Sequence, residues 1–217
     1  MDFYGFGDTP HPNNQLFLDD YVGSVVELIN FYKMSNVILV GHSFGGRVAI
    51  KLAAKYGYML EKIVLVDSAG ILPRRKLNYY YKIFIHKLCN KMNIKHIGGS
   101  KDYQALSNVM RLTFKNIVNE DLLPLTKKIT LPTLLVWGDK DKETPIYMAK
   151  LLHKNIIGSG LIVFCGCGHF AYVERSDVFY AILNNFCAGG IDGVTDNNYG
   201  CNKRHNIVVK IPRIKSE

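Results

Sequence analysis

The chain has 217 residues, of which 48% are hydrophobic and 21% charged, the composition of one globular domain with a substantial core. No apolar run reaches the roughly 18 residues that a membrane span requires, and the opening MDFYGFGDTP has neither the basic nor the apolar region of a signal peptide. The formal net charge of +9 is compatible with an acidic partner.

Apolar strand-like runs alternate with amphipathic stretches along most of the chain. Residues 18–32 carry apolar side chains at helical spacing, which predicts the first helix. The predicted strands are, in chain order, NVILVG (36–41), KIVLVDSAG (62–70), PTLLVWG (132–138) and GLIVFCG (160–166). The later predicted helices are GGRVAIKLAAKYG (45–57), PIYMAKLLHK (145–154) and SDVFYAILNNFC (176–187), the last with Ser176 as N-cap. This alternation predicts an α/β fold, with a mostly parallel sheet flanked by helices.

The alternation stops in residues 71–128, where NYYYKIFIHKLCNKMNI and DYQALSNVMRLTFKNIV have helical patterns and no strand is predicted. We expect this region to form a helical cap over a core made of residues 1–70 and 129–187. Residues 188–217 are rich in Gly and Asn and predict an irregular C-terminal tail, in which only NIVVKI has a strand-like pattern.

Ser43 lies in GHSFGG, between a predicted buried strand and a predicted helix. The pattern G-x-S-x-G in this context is typical of a nucleophile elbow, a tight strand-to-helix turn that needs glycines where a Cβ would clash. The backbone N–H of Phe44, at the start of the helix, is the predicted oxyanion donor. The alternative is a serine that only forms a turn.

A serine nucleophile needs a general base and an acid that orients it, and in this architecture both follow the serine in the chain. Asp139 and Asp141 follow the third predicted strand, and His169 follows the fourth. Asp67, at the end of the second strand, is a rival acid. His42 is expected to pack beside the elbow and to border the substrate pocket.

Three motifs resemble the α/β-hydrolase superfamily, in particular its cap-bearing esterases and carbon–carbon bond hydrolases. They are GHSFGG, the W-G-x-x-D-x-x-x-P pattern from Trp137 to Pro145, and G-x-G-H ending at His169; the opening DFYGFG is similar to a further loop of that family. The resemblance implies that Asp141 is the acid, that Asp139 is a loop carboxylate, and that no metal or organic cofactor is required.

The sequence differs from the pattern of the family at its N-terminus. Family members have three more strands upstream and a loop that donates the second oxyanion N–H, and the sequence begins after both. The expectation is therefore a truncated form or a fragment, with NVILV as an apolar sheet edge that favours self-association.

Two other patterns in the sequence are compatible with binding functions. Cys165, Cys167 and His169 are residue types that bind zinc, but C-x-C is not the usual ligand spacing, so no metal site is predicted. The basic, tyrosine-rich stretch at residues 73–91 indicates a cap helix with a solvated face, leaves a membrane-surface role open and carries no nucleic-acid recognition motif. Its aromatic residues are predicted to line the roof of the pocket: Tyr79, Tyr80, Tyr81 and Phe84.

The odd number of cysteines, five, favours reduced thiols, and therefore a cytoplasmic location. The predicted function is hydrolysis of an ester-like bond in a small-molecule substrate through Ser43, His169 and Asp141. Three alternatives remain: a catalytically impaired binding module, a carbon–carbon bond hydrolase and a membrane-surface lipase.

Overall fold

The computed structural model describes residues 2–73 and 107–189, and the backbone of residues 207–210. The chain divides into two compact units. One contains Met1–Phe17 and Leu72–Asn119, and the other contains Leu18–Ile71 and Glu120–Glu217. The predicted helix at 78–94 lies outside the described residues, as does the first part of the one predicted at 102–118.

The second unit is built on a sheet with the strand order β1-β2-β3-β4-β5. Strands β1 to β4 pair in parallel, and β5 runs antiparallel to β4. The strands are β1 (Val37–His42), β2 (Leu60–Val66), β3 (Thr133–Gly138), β4 (Gly160–Phe164) and β5 (Ile207–Lys210). The predicted α/β fold with a mostly parallel sheet is confirmed.

The inner strands are apolar because both faces of the sheet are covered. All residues of β3 are buried, and Trp137 near its end has no exposed surface. Strand β1 differs, because among the described residues it pairs only with β2. Val40 of β1 is 45% exposed, so this strand is an apolar edge in the described part of the chain.

The helices of this unit are α1 (Leu18–Phe31), α2 (Phe44–Tyr56), α4 (Leu123–Thr126), α5 (Tyr147–Asn155), α6 (Ala171–Glu174) and α7 (Ser176–Cys187). Helix α1 buries the apolar face that its spacing predicts, including Val22, Val25 and Ile29. Helix α7 begins at the predicted Ser176, but Arg175 is its N-cap residue. Helix α2 continues into a short 3-10 helix at Gly57–Met59.

One side of the sheet forms an apolar core with α6 and α7. Its buried residues are Val64, Val66, Leu134, Val136, Ile162, Phe164, Cys167, Ala171, Phe179 and Phe186. These residues come from β2, β3 and β4, from both helices that follow β4 and, for Cys167, from the loop between β4 and α6. The core therefore fixes the carboxyl ends of three strands against the helices that follow the last of them.

A buried lysine links α1 and α2 to the chain ahead of α4. The ammonium group of Lys51 contacts Asp19 at 2.8 Å and Glu120 at 2.6 Å. Arg47, also buried, donates to the backbone carbonyl of Glu120 at 2.9 Å. A buried charge is costly unless it is paired, so these contacts hold the helices in one arrangement.

The first unit contains the helix α3 (Asn108–Val118), whose N-cap Ser107 accepts a hydrogen bond from Met110 N at 3.2 Å. Thr113 of this helix accepts a bond from the backbone N–H of Leu16 at 2.9 Å. In the opening loop, Gly7 has φ +52 and lies against the carboxylate of Asp2, where a Cβ has no room. The bond between Leu16 and Thr113 ties the opening segment of the chain to α3.

Two findings differ from the sequence expectations for the tail and the thiols. Residues 207–210 form β5, so this part of the expected irregular tail belongs to the sheet. Cys165 is disulfide-bonded, whereas Cys167 and Cys187 are free thiols. The predicted cytoplasmic location rests on reduced thiols. Because disulfides are rare in the cytoplasm, the disulfide at Cys165 removes the basis of that inference.

No helix in the described ranges combines the length and apolar character needed to cross a membrane. The basic stretch of the predicted cap lies largely outside those ranges, so its expected role at a membrane surface stays a prediction.

Candidate active site

Ser43 occupies the turn between β1 and α2. Its φ of 49° and ψ of −112° are unusual for a residue with a side chain, and such strain is concentrated at functional sites. The backbone fixes this conformation: Ser43 N donates to Val66 O at 3.1 Å, and Ser43 O accepts from Ala69 N at 3.0 Å. The serine is therefore held at the carboxyl end of the sheet by the residues at the end of β2.

The glycines around Ser43 have different roles. A Cβ on Gly41 lies only 2.6 Å from the backbone oxygen of Gly45, so only glycine fits there. A Cβ on Gly46 collides with the side chain of Ser68. Gly45 has open space around a Cβ, which means that the expected steric need for glycine holds at Gly41 but is wrong at Gly45.

The structure brings the predicted nucleophile, base and acid into a continuous chain of contacts. Ser43 Oγ lies 2.9 Å from His169 Nε2. The other ring nitrogen, His169 Nδ1, lies 2.8 Å from Asp141 Oδ2. The serine follows β1, the aspartate follows β3 and the histidine follows β4, so the parallel sheet places all three at the same edge.

The partners assign the tautomer of His169 when its ring is neutral. An ionised carboxylate only accepts hydrogen bonds, so Nδ1 carries the proton and donates it to Asp141. Nε2 then has a free lone pair that accepts from the hydroxyl of Ser43. This is the arrangement in which an imidazole acts as a general base toward a serine.

Asp141 is held as an anion by four donors. Its side chain is fully buried, and burial alone raises the pKa. The hydrogen bonds from His169 and Thr144 outweigh burial, so the pKa of Asp141 lies below its ordinary value. The donors are His169 Nδ1 at 2.8 Å, Thr144 Oγ1 at 2.5 Å, Thr144 N at 3.0 Å and Glu143 N at 2.8 Å.

His42 contacts the backbone of the candidate base. Its Nε2 lies 2.8 Å from the carbonyl oxygen of His169, which only accepts, so Nε2 is the protonated nitrogen. Burial lowers the pKa of His42, and the nearby His169 acts in the same direction, more than this hydrogen bond raises it. His42 packs beside the elbow as expected, as a neutral donor that fixes the backbone of His169.

Phe170 and Tyr172 form an aromatic surface that the sequence reading missed. The Phe170 ring centroid lies 5.4 Å from that of His169 and 5.2 Å from that of His42. Tyr172 lies 5.0 Å from His42. Phe170 is 54% exposed, so an apolar ring lies open beside the candidate base. The sequence feature that could have indicated Phe170 is its position directly after His169.

The loop of His169 is fixed by polar contacts to its backbone. Asp139, expected to be a loop carboxylate, accepts from Gly166 N at 2.7 Å. Glu174 accepts from Gly168 N at 2.8 Å, and Lys140 N donates to Cys167 O at 2.9 Å. The residues after β3 therefore hold both the candidate acid and the backbone ahead of the candidate base.

Trp137 and Thr144 stabilise the loop that carries Asp141, a role that the sequence pattern containing them did not predict. The indole Nε1 of Trp137 donates to the carbonyl of Thr144 at 2.6 Å inside the core. Thr144 in turn donates to Asp141 from its backbone and from its hydroxyl. The W-G-x-x-D-x-x-x-P pattern was the available signal, because it spans both residues.

The remaining predicted residues fall into two groups. Phe44 is the first residue of α2, and its ring packs edge to face with Tyr21 at 5.1 Å; its N–H as oxyanion donor stays a prediction. The predicted pocket residues of the cap lie outside the described part of the chain: Tyr79, Tyr80, Tyr81 and Phe84.

The zinc alternative at Cys165, Cys167 and His169 does not fit the contacts. Cys165 is in a disulfide, and both ring nitrogens of His169 face protein partners. Burial raises the pKa of the Cys167 thiol, with Glu174 acting in the same direction, and so disfavours the thiolate that a metal needs.

Known proteins resemble this chain over most of its length. The proline iminopeptidase of Saccharolobus solfataricus is 24% identical, over 84% of this chain and 72% of its own. The 2-hydroxy-6-oxo-2,4-heptadienoate hydrolase of Pseudomonas putida is 22% identical, over 86% of this chain and 76% of its own. An esterase from Exiguobacterium antarcticum has the same fold, with a TM-score of 0.68 and 24% identity, covering 86% of this chain and 80% of that one.

These relatives are hydrolases, which supports the assignment of this chain as a hydrolase enzyme. A model of the alpha/beta hydrolase family matches residues 1–182, which include all the candidate site residues described above. The chain belongs to the alpha/beta hydrolase family.

Proposed function

We propose that this protein is a serine hydrolase that cleaves an ester-like bond through a covalent acyl-enzyme, with Ser43 as nucleophile, His169 as general base and Asp141 as the orienting acid. The observation that carries the proposal is the pair of contacts made by the two nitrogens of one imidazole, 2.9 Å to Ser43 and 2.8 Å to Asp141. Both distances are in the hydrogen-bonding range that a general base requires.

In the proposed reaction, Ser43 Oγ attacks the acyl carbonyl carbon while its proton passes to His169 Nε2. The anionic Asp141 stabilises the imidazolium that forms. When the tetrahedral intermediate collapses, the alcohol leaves with the proton from His169 and the acyl group stays on Ser43. Water, deprotonated by His169, then attacks the acyl-enzyme and releases the carboxylic acid and the free serine.

The oxyanion of the tetrahedral intermediate needs backbone donors. The N–H of Phe44, at the positive end of α2, is the proposed donor. Removing one oxyanion donor costs on the order of 100- to 1000-fold in turnover in serine hydrolases. The turnover of this chain therefore reports how complete its oxyanion site is.

The first test is hydrolysis of p-nitrophenyl acetate and butyrate by the chain and by Ser43→Ala, both checked for folding by circular dichroism. We expect turnover from the wild type and a loss of at least about 1000-fold in kcat from the variant, because the nucleophile is absent. Ser24→Ala, which removes an exposed hydroxyl on α1, is the matched control and keeps wild-type activity.

A fluorophosphonate probe reads the nucleophile independently of turnover. Labelling of Ser43, located by peptide mass spectrometry, supports the proposal even where the ester is a poor substrate. A folded wild type that neither labels nor turns over contradicts it, and the chain is then a binding module of the hydrolase fold.

Carbon–carbon bond hydrolysis is a second candidate, because one relative is named as a 2-hydroxy-6-oxo-2,4-heptadienoate hydrolase. The same serine, histidine and aspartate would serve. Loss of dienoate absorbance distinguishes the two activities: the ester proposal expects kcat/KM for butyrate esters to exceed that for the dienoate.

The expected membrane-surface role stays a proposal that rests on the basic stretch of the cap. Ester hydrolysis that increases on anionic vesicles and falls again with added salt supports it. Hydrolysis that is indifferent to vesicles favours a small-molecule esterase.

A further inference from the structure

We propose that Asp67 is a positioning residue for the hydrolysis. Its buried carboxyl group joins the loop of Asp141 to the loop of His169 and so keeps the acid and the base at hydrogen-bonding distance. The inference rests on the proposed function of Asp141 and His169. Asp67 was the rival acid in the sequence. Its carboxyl group instead contacts backbone N–H groups on either side of the Asp141–His169 pair.

The two oxygens of Asp67 bind different loops. Oδ1 accepts from the backbone N–H of Gly138 at 2.8 Å, at the end of β3 and three residues before Asp141. Oδ2 accepts from the backbone N–H of Ala171 at 3.3 Å, two residues after His169. One planar carboxyl group thus bonds to the backbone of both loops.

A second connection runs through the backbone of Asp67. The hydroxyl of Thr144 lies 3.0 Å from the carbonyl oxygen of Asp67 and 2.5 Å from Asp141 Oδ2. The N–H of Asp67 continues the sheet by donating to Val136 O at 3.0 Å. The single proton of that hydroxyl goes to Asp141, so Thr144 packs against the carbonyl oxygen of Asp67 without donating to it. The backbone bond to Val136 anchors Asp67 to β3.

The close approach of the loops explains why this connection is needed. A Cβ on Gly138 collides with the backbone carbonyls of Cys167 and Gly168, so the histidine loop crosses directly over the end of β3. With no side chain at that crossing, the Asp67 carboxyl adds a buried polar link between the loops, beside the bonds from Gly166 N to Asp139 and from Lys140 N to Cys167 O. Displacement of a catalytic group by about 1 Å costs on the order of 100-fold in rate.

Asp67 is kept at a cost in folding free energy, as expected of a residue that serves the site. Its φ is +42°, a strained conformation for a residue with a side chain. Burial raises the pKa of Asp67 to about 7, since it outweighs the donors at Gly138 and Ala171, and the negative Asp141 and Glu174 add to the rise. A carboxyl that only filled space is replaceable by an apolar side chain at no such cost.

The test is Asp67→Asn, assayed at pH 8, where the Asp67 carboxyl of the wild type is ionised. The amide preserves the shape but offers one acceptor oxygen in place of two. We expect kcat for p-nitrophenyl butyrate to fall about 100-fold with KM within about twofold, because misplaced acid and base affect the transition state and not substrate binding. Asp177→Asn, on the exposed start of α7, is the matched control and keeps both constants. A variant that raises KM, or that keeps wild-type kcat, overturns the proposal.

Hydrogen–deuterium exchange separates this proposal from the proposed function. In Asp67→Asn, peptides covering residues 138–146 and 166–174 exchange faster together, while α1 stays protected. If the wild type shows no turnover but both loops loosen in the variant, the link stands and the hydrolase assignment fails. If turnover is normal and only one loop, or neither, loosens, the link is wrong.

Where Asp67→Asn does not fold, the wild type itself supplies the measurement. The carboxyl carbon of Asp67 and the amide protons of Gly138 and Ala171 are followed by NMR across the neutral pH range. We expect the three resonances to share one midpoint, because both amides donate to the same titrating group. His42, His169, Asp141 and Glu174 lie near it, so a midpoint that the amides share with a histidine but not with the Asp67 carbon overturns the proposal.

Discussion

Asp67 carries a carboxyl group whose ionisation is linked to folding. Burial raises its pKa from the ordinary 3.8 to about 7. The unfolded chain releases this proton near pH 4, whereas the folded chain keeps it up to about pH 7. The folded state therefore binds more protons in that interval, and the free energy of unfolding falls as pH rises through it.

The difference between the two pKa values corresponds to about 4 kcal/mol, and Asp67→Asn removes this dependence. At pH 4, where the Asp67 carboxyl is neutral and buried, we expect the variant to be less stable than the wild type. Between pH 4 and pH 8, we expect the free energy of unfolding to fall much less in the variant than in the wild type. Urea unfolding of both proteins at the two pH values measures this difference. A destabilisation of equal size at both contradicts a raised pKa at Asp67.

The three candidate catalytic residues lie in recognisable sequence patterns, whereas the contacts that Asp67 makes with their loops do not. Ser43 directly follows β1, and Asp141 and His169 lie in the loops after β3 and β4. The contacts of Asp67 and Thr144 arise where three loops meet, 71 to 104 residues apart along the chain. No local pattern encodes such a meeting.

At the scale of elements, the turn from β1 to α2 depends on Gly41 more than on Gly45. We expect Gly41→Ala to lower the free energy of unfolding by at least about 2 kcal/mol and to abolish turnover, because its Cβ lies 2.6 Å from the backbone of Gly45. Thermal unfolding and p-nitrophenyl butyrate hydrolysis measure the two effects.

Gly45→Ala is the matched variant for this turn. A Cβ at Gly45 has no neighbour within 4 Å, and the position lies in the first turn of α2. Alanine is favoured over glycine in a helix by about 1 kcal/mol, so the variant keeps or slightly gains stability. Equal losses from both substitutions contradict this account of the elbow.

The short apolar runs of the sequence predict the positions of β1 to β4, but not the ends of the elements or the pairing of the strands. Apolar runs of strand length predict buried strands because both faces need cover. The sequence predicted that α7 starts at Ser176, but the N-cap residue is Arg175 and not Ser176. Strand β5 was noted only as a strand-like pattern, because its antiparallel pairing with β4 depends on a contact made after a long intervening segment.

At the scale of the whole molecule, the order of the strands along the chain determines the site. Parallel strands joined by helices bring their carboxyl ends to one edge, which is where Ser43, Asp141 and His169 meet. The match to the alpha/beta hydrolase family covers residues 1–182, which include these three residues. The disulfide at Cys165 was not predictable, because cysteine count alone does not reveal which thiols pair.

Self-association is the expected behaviour of the molecule at its apolar edge. Among the described residues β1 pairs only with β2, and Val40 is 45% exposed, whereas natural edge strands commonly carry lysine to prevent edge pairing. We expect Val40→Lys to shift sedimentation velocity profiles toward monomer at concentrations where the wild type associates. Ile157→Lys adds the same charge at a loop position that is 86% exposed, and leaves the profile unchanged. A wild type that stays monomeric contradicts the expected self-association. Equal responses to both lysines show that net charge and not the β1 edge controls association.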